Sequence, residues 1–140
     1  MDASQDPFED RPAMVTCSTT AYGLEDINNE ESLGYDSWGC NYLTVSQPSL
    51  VTVEPGDTLT ARVWHFKLTN PVAAEAHLAI RLGEEVVWEE RFPVPGDARL
   101  RARTWIAPRR FASGVPVTFH LHNHGTNSYN FIELSVRSAK

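Results

Sequence analysis

The sequence predicts an all-β protein with about seven to nine short strands, folded as an antiparallel β-sandwich or a jelly roll. Two observations support this prediction. From residue 41 onward, apolar and polar residues alternate over short segments, and Pro and Gly interrupt the chain between those segments. No segment has the 3.6-residue period of an amphipathic helix. Many short strands separated by Pro/Gly turns are typical of sandwiches and jelly rolls.

The N-terminal part of the chain differs from the rest in composition. Residues 1–16 are acidic and contain two prolines, so we predict a flexible tail there, followed by one sandwich domain over residues 17–140. Residues 17–40 are rich in Asn, Glu, Gly, Ser and Asp, which predicts a loop. The only cysteines, Cys17 and Cys40, bracket this loop and predict a disulfide that closes it, with two reduced thiols as the alternative.

The strands of the predicted sandwich follow one another from residue 41. Pro55-Gly56-Asp57 predicts a turn, because Pro presets φ and Gly supplies the positive φ that follows. In the next segment Leu59, Ala61 and Val63 share one face, and Trp64 lies on the opposite, polar face. The predicted strands are residues 41–45, 49–53, 58–68, 76–82, 86–92, 100–106, 117–122 and 130–136.

Charge and hydropathy argue against nucleic-acid binding and against a transmembrane segment. Residues 1–40 hold nine acids against only Arg11, and residues 41–140 hold eleven bases against nine acids, so the chain lacks a basic footprint for nucleic acid. No apolar run is long enough to span a membrane.

The disulfide and the start Met1–Pro7, which looks like a mature N-terminus after removal of a leader, predict an extracytoplasmic location: secreted, periplasmic or lipid-anchored. Arg outnumbers Lys ten to two, which fits a bacterial source.

Three of the five histidines lie in the segment 119–125, at a spacing of two. On a strand this spacing places His120 and His122 on the same face. Two imidazoles held side by side can bind Zn²⁺ or Cu²⁺ if a third ligand joins them. His124 is one candidate, if the strand continues, and His77 is another, from the polar face of its own strand. The alternative is that these are ordinary surface imidazoles.

Other metal centres lack their signatures. A blue-copper centre needs a late Cys with two His and usually a Met, but both cysteines are early and the only methionines are Met1 and Met14. The His-Glu-x-x-His motif of zinc proteases is absent. His65 lies where the apolar parity of its strand changes, so the sequence leaves open whether it points into the core. Only a simple histidine-rich surface site for Zn²⁺, Cu²⁺ or Ni²⁺ remains.

Two further groups of residues are candidates for ligand binding. The polar loop 123–130 combines amide and hydroxyl groups with an aromatic ring, a combination suited to sugar hydroxyls and to the apolar face of a pyranose. A second surface would combine tryptophans with arginines on polar strand faces. The alternatives are ordinary turn chemistry and inward-facing tryptophans. The candidate residues are Asn123, Asn127, Tyr129, Asn130, Trp64, Trp105, Arg101 and Arg103.

No enzyme signature is present: the sequence has neither a Gly-x-Ser-x-Gly elbow nor a phosphate-binding glycine loop, and we assign no catalytic residue. In its pattern of short strands and Pro/Gly turns, the region 41–136 resembles small secreted β-sandwich modules that bind carbohydrate or partner proteins. The resemblance implies a non-enzymatic extracytoplasmic binding module whose ligand is a carbohydrate or an envelope or partner protein. The first alternative is a Zn- or Cu-binding protein, with or without metal-dependent activity, and the second is a structural subunit of a homo-oligomer.

Overall fold

Two antiparallel sheets stack face to face in the computed structural model, which describes residues 3–139. The five-stranded sheet has the order β1-β2-β9-β4-β7, and the four-stranded sheet has the order β3-β8-β5-β6. The predicted all-β sandwich is therefore confirmed. A single 3₁₀ turn, Ala3–Gln5, is the only helical element in the described range. The strands are β1 (Tyr22–Ile27), β2 (Glu30–Asp36), β3 (Tyr42–Pro48), β4 (Thr58–His65), β5 (Ala74–Leu82), β6 (Glu85–Val94), β7 (Arg99–Ile106), β8 (Pro116–His122) and β9 (Ser128–Arg137).

The hydrophobic core lies between the two sheets and follows the alternation of the sequence. On β4, Leu59, Ala61 and Val63 are buried, and Trp64 points to the outer face. The four-stranded sheet contributes a matching inner face of aliphatic and aromatic side chains. These are Leu43, Leu78, Ile80, Leu82, Phe92, Phe119 and Leu121. Each fully buried side chain of this size contributes about 1.5–3 kcal/mol of burial free energy, so the core is the main source of stability.

One predicted strand is wrong. Residues 49–53 do not form a strand but cross one end of the sandwich, where Val53 makes an isolated bridge with Phe111. Leu50 and Val51 are exposed along this crossing. The apolar run Leu50-Val51 resembles a strand in sequence, but backbone hydrogen bonds to residues 111–115 are made at Ser49 and Val53 and do not continue as a ladder. The other seven predicted strands correspond to β3 to β9.

The prediction of a loop over residues 17–40 is wrong, because this segment carries the hairpin β1–β2. Asn28 and Asn29 join the strands with φ angles of 54° and 65°, the positive values of a two-residue hairpin turn. Strand β2 then pairs with β9, with Leu33 opposite Phe131, and the hairpin extends the five-stranded sheet. This tertiary pairing outweighs the low strand propensity of the acidic residues and glycines.

The N-terminal strap, which we define as residues 6–11, contacts the outer face of the four-stranded sheet. The predicted tail over 1–16 is therefore packed in this part. Asp6 organises the strap: its carboxylate accepts hydrogen bonds from the backbone N–H of Phe8, at 3.1 Å, and from Arg11 Nη1, at 2.7 Å. The ring of Phe8 stacks on His120, with 4.0 Å between ring centroids. Burial of this aromatic ring explains why an acidic segment adheres to the sheet.

Cys17 and Cys40 form the predicted disulfide. We expect the double variant Cys17→Ser/Cys40→Ser to lose about 3 kcal/mol of unfolding free energy, because the bond closes a loop in the unfolded chain. Urea denaturation followed by tryptophan fluorescence measures this loss. Wild-type protein treated with a reductant is the matched control and should reproduce the variant. An unchanged denaturation midpoint in both samples would contradict the expectation.

The described residues contain no helix that is long and apolar enough to cross a membrane.

Candidate functional site

The strands β5 and β8 bring three histidines together on the outer face of the four-stranded sheet. The two strands are neighbours in the sheet. His77 lies directly opposite His122, and Ala79 lies opposite His120. All three imidazoles lie on the face opposite the core side chains of these strands. The N-terminal strap covers this face, so His77 and His120 are buried although they point away from the core.

Asp10 of the strap inserts its carboxylate among these three imidazoles. Its Oδ2 lies 2.9 Å from His77 Nδ1 and 3.0 Å from His122 Nδ1. Its Oδ1 lies 3.5 Å from His120 Nε2. We call Asp10, His77, His120 and His122 the histidine cluster. His124, the fourth predicted metal ligand, is exposed, and its ring lies 5.0 Å from that of His122.

The far sides of two imidazoles in the histidine cluster are held by hydrogen-bonding partners. His120 Nδ1 lies 2.8 Å from Thr44 Oγ1 on β3, and His77 Nε2 lies 2.9 Å from Glu89 Oε1 on β6. By contrast, the buried atoms Asp10 Oδ1 and His120 Nε2 have no hydrogen-bond partner among residues 3–139. Such atoms are rare in folded proteins and call for an explanation.

Burial controls the charge state of the histidine cluster. Desolvation lowers the pKa of His120 to about 4, despite the opposing attraction of Asp10, so this imidazole is neutral at pH 7. Burial would raise the pKa of Asp10, but the hydrogen bonds from His77 and His122 outweigh it and the pKa lies below its usual value. A carboxylate anion therefore faces a neutral imidazole nitrogen at the centre of the cluster.

The polar loop 123–130 is half buried: Asn123, Asn127, Tyr129 and Asn130 point inward, and the other four residues are exposed. Asn127 Oδ1 accepts a hydrogen bond from the Thr69 N–H at 2.7 Å, and Asn127 Nδ2 donates to the Thr69 carbonyl at 3.0 Å. The Tyr129 hydroxyl donates to Asn123 Oδ1, and both residues are buried. Asn130 is likewise buried, and its amide donates to side chains of the β1–β2 hairpin. Buried polar groups need hydrogen-bond partners, and these four side chains find theirs within the protein. They therefore stabilise the fold.

The predicted surface of tryptophans and arginines is not one surface. Trp64 is half-buried on the outer face of the five-stranded sheet, where it meets Phe66 edge-on. Trp105 pairs with Leu59 and packs against the core. Arg101 is buried on that inner side, whereas Arg103 is exposed on the same edge strand. Alternation along β7 correctly places Arg101, Arg103 and Trp105 on one face of the strand. It does not show whether that face points to the second sheet or to solvent.

Arg101 lies inside the sandwich, where its charge is paired. Its Nε donates to His65 Nε2 at 2.9 Å, its Nη1 donates to Glu90 across the gap between β7 and β6, and its guanidinium lies 3.6 Å from the centroid of the Phe92 ring. His65 therefore faces inward, which answers the question left by the sequence. Burial lowers the pKa of His65, and the neighbouring Arg101 charge lowers it further, so its Nε2 is free to accept.

Two aromatic residues that the sequence analysis did not select are exposed at one end of the sandwich. Trp38 is 67% exposed in the loop between β2 and β3, and Phe66 is 56% exposed just after β4. Asn127 ties these two loops together: its backbone N–H donates to Ser37 Oγ at 2.9 Å, and its side chain bonds to Thr69. A tryptophan within an otherwise polar segment was the sequence signal for this site. We call Trp38 and Phe66 the aromatic end.

An apolar cleft opens at the edge of the sandwich between the β1–β2 hairpin and β3. Its volume is about 360 Å³. The rings of Phe119 and Phe131 stack at its base, with 4.7 Å between centroids. Leu24 is exposed at its mouth. The polar side chains on its rim are Glu31, Ser32, Ser46 and Gln47.

The sandwich resembles solved structures of carbohydrate-binding modules. TmCBM61, solved in complex with β-1,4-galactotriose, aligns with a TM-score of 0.53 and 8% identity, covering 89% of this chain and 86% of that one. A CBM4 structure aligns with a TM-score of 0.47 and 13% identity, covering 82% of this chain and 87% of that one. The sequence matches no protein-family model and no curated protein. At these identities, the alignment with TmCBM61 supports the shared fold.

Proposed function

We propose that this protein is a non-enzymatic, extracytoplasmic carbohydrate-binding module, and that the aromatic end is its binding surface. The observation that carries the proposal is the exposure of Trp38 and Phe66 on two loops that Asn127 joins by hydrogen bonds at the same end of the sandwich. A large aromatic ring that is exposed to water is stabilised when a partner covers its apolar surface. The C–H face of a pyranose ring provides such cover, while its hydroxyls reach the surrounding polar loop.

The loops of the aromatic end are held in place before any ligand arrives. Asn127 bonds to both the Trp38 loop and the Phe66 loop, and Ser37 Oγ donates to the carbonyl of Gly125 at 2.7 Å. A surface that is already ordered loses little conformational entropy on binding, which favours affinity. Exposed polar groups that can meet sugar hydroxyls lie on the loop 123–130, which bonds to both aromatic loops. These groups belong to the exposed residues His124, Thr126 and Ser128.

The comparisons guide the choice of ligand. TmCBM61 shares the sandwich and was solved with β-1,4-galactotriose, so β-linked hexose oligosaccharides are the first ligands to test. The Cys17–Cys40 disulfide supports an oxidising location, where extracellular polysaccharides are found.

The test is a titration of the purified chain with β-1,4-galactotriose and a panel of soluble polysaccharides. Binding is measured by tryptophan fluorescence and by calorimetry. We expect at least one glycan to shift the emission spectrum. We expect Trp38→Ala to weaken binding about tenfold or more, equivalent to about 1.4 kcal/mol, because it removes the principal stacking surface.

Leu50→Ala is the matched control, since Leu50 is 89% exposed at the opposite end of the sandwich and should not affect binding. Leu24→Ala tests the apolar cleft as the alternative location. Loss of binding in Leu24→Ala, with Trp38→Ala unaffected, would overturn the assignment to the aromatic end. A panel in which no glycan binds the wild-type chain would overturn the proposed function itself.

A further inference from the structure

The histidine cluster lies on the outer face of the four-stranded sheet, and the proposed carbohydrate function does not use it. Its members come from three separate parts of the chain: the N-terminal strap, β5 and β8. Their possible ligand atoms lie within 4.8 Å of one another in the group Asp10, His77 and His120. We propose that these three residues bind a divalent first-row transition-metal ion, represented by Zn²⁺ or Cu²⁺, and that the ion fastens the N-terminal strap to the sheet.

The donor atoms have the chemistry and spacing that such an ion requires. His77 Nδ1, His120 Nε2 and the carboxylate of Asp10 are a nitrogen and oxygen set suited to Zn²⁺ and Cu²⁺. Tetrahedral zinc with ligands at about 2.0–2.1 Å holds its donors about 3.3–3.4 Å apart. The distances from Asp10 oxygens to His77 Nδ1 and His120 Nε2, 2.9 Å and 3.5 Å, lie on either side of that value. All three donor atoms lie within 4.8 Å of one another, so side-chain rotation toward the ion must close the widest separation.

Two buried atoms point to a cation rather than to a purely structural cluster. Asp10 Oδ1 and His120 Nε2 face each other and have no hydrogen-bond partner within the described chain. An unsatisfied buried polar atom costs about 1–3 kcal/mol. When Nδ1 of His120 donates its proton to Thr44, Nε2 presents a lone pair to the carboxylate, and the two electron-rich atoms repel. A cation between them satisfies both at once.

The partners on the far side of each imidazole match the pattern of metal-binding histidines. Such histidines direct their second nitrogen to a carboxylate, a carbonyl or another acceptor, which fixes the ring and its tautomer. Here Glu89 holds His77 Nε2 at 2.9 Å, and Thr44 holds His120 Nδ1 at 2.8 Å. His122 donates to Asp10 Oδ2 at 3.0 Å, so we assign it as a positioning residue for the carboxylate.

Calorimetric titration of the full chain, produced without a histidine tag and stripped of metal, tests the proposal. We expect one equivalent of Zn²⁺ or Cu²⁺ to bind with sub-micromolar affinity, and Mg²⁺ not to bind. Asp10→Asn and His77→Gln should each weaken Zn²⁺ binding by about 100-fold or more. Glu89→Gln, which alters only the outer partner, should weaken it by about tenfold. Zn²⁺ should also slow amide hydrogen exchange in residues 6–11.

His124→Ala is the matched control, because His124 is an exposed histidine beside the cluster and should leave affinity unchanged. Circular dichroism of each metal-free variant establishes that it folds. Glu89 is half exposed, so Glu89→Gln carries the test if His77→Gln does not fold. The proposal is overturned if the wild-type chain binds neither ion below about 100 µM. It is also overturned if Asp10→Asn and Glu89→Gln bind like wild type, or if His124→Ala removes binding.

Discussion

Replacing Gly125 with alanine is expected to lower the free energy of unfolding by about 3 kcal/mol. Gly125 has a φ of 81°, which an L-residue adopts at a cost of about 1–2 kcal/mol. A Cβ at this position would also lie 2.0 Å from the carbonyl oxygen of Thr69. The loop must move to relieve this overlap, and the movement strains the hydrogen bonds between Thr69 and Asn127. Overpacking of this kind adds about 1–3 kcal/mol.

Gly83→Ala is the matched control for Gly125→Ala. Gly83 also has a positive φ, 59°, but an added Cβ there would meet no atom within 4 Å. This variant should therefore lose only the conformational cost, about 1 kcal/mol. Urea denaturation of the two variants and the wild-type chain separates the terms. Equal losses in both variants would show that the close approach of Thr69 contributes nothing.

The second large effect is expected at Arg101, where alanine should remove about 3 kcal/mol of unfolding free energy. The substitution leaves Glu90 without its cation and His65 Nε2 without its donor, and it removes the guanidinium stacked on Phe92. Breaking a fully buried ion pair costs about 3–5 kcal/mol. We expect the lower end of that range, because the side chain of Glu90 is about one-third exposed to solvent.

Arg103→Ala is the control for Arg101, since it removes an exposed arginine from the same strand and should change stability by less than about 0.5 kcal/mol. A double-mutant cycle with Glu90→Ala isolates the energy of the ion pair. We expect a coupling of about 1 kcal/mol or more, given the burial of Arg101. Additive losses would mean that Arg101 acts through packing on Phe92 rather than through Glu90.

Most of the fold could be predicted because alternation reports burial directly. Leu59, Ala61 and Val63 mark the inner face of β4 in the sequence as clearly as in the structure. The hairpin β1–β2 was missed because acidic residues and glycines have low strand propensity, and its stability comes from pairing with β9. The turn at Asn28-Asn29 was a readable signal, since Asn favours the positive φ of a two-residue hairpin.

The histidine cluster was only partly predictable. Strand alternation places His120 and His122 on one face, and His77 joins them because β5 and β8 are neighbours in the sheet. Asp10 could not be predicted, because it lies 67 residues before His77 in sequence and in a segment without any periodic pattern. The inward position of Arg101 was hidden for a similar reason, as its partner Glu90 belongs to the facing sheet.

The β1–β2 hairpin places four carboxylates along the outer edge of the five-stranded sheet. Strand β1 is an outer strand of the five-stranded sheet, so its free side presents unpaired backbone groups that another chain could join. Glu25 and Asp26 lie on this strand, and Glu30 and Glu31 begin the next one. Two copies that approach edge to edge would bring these carboxylates together. The carboxylates of the hairpin therefore disfavour pairing of a second copy with this outer strand.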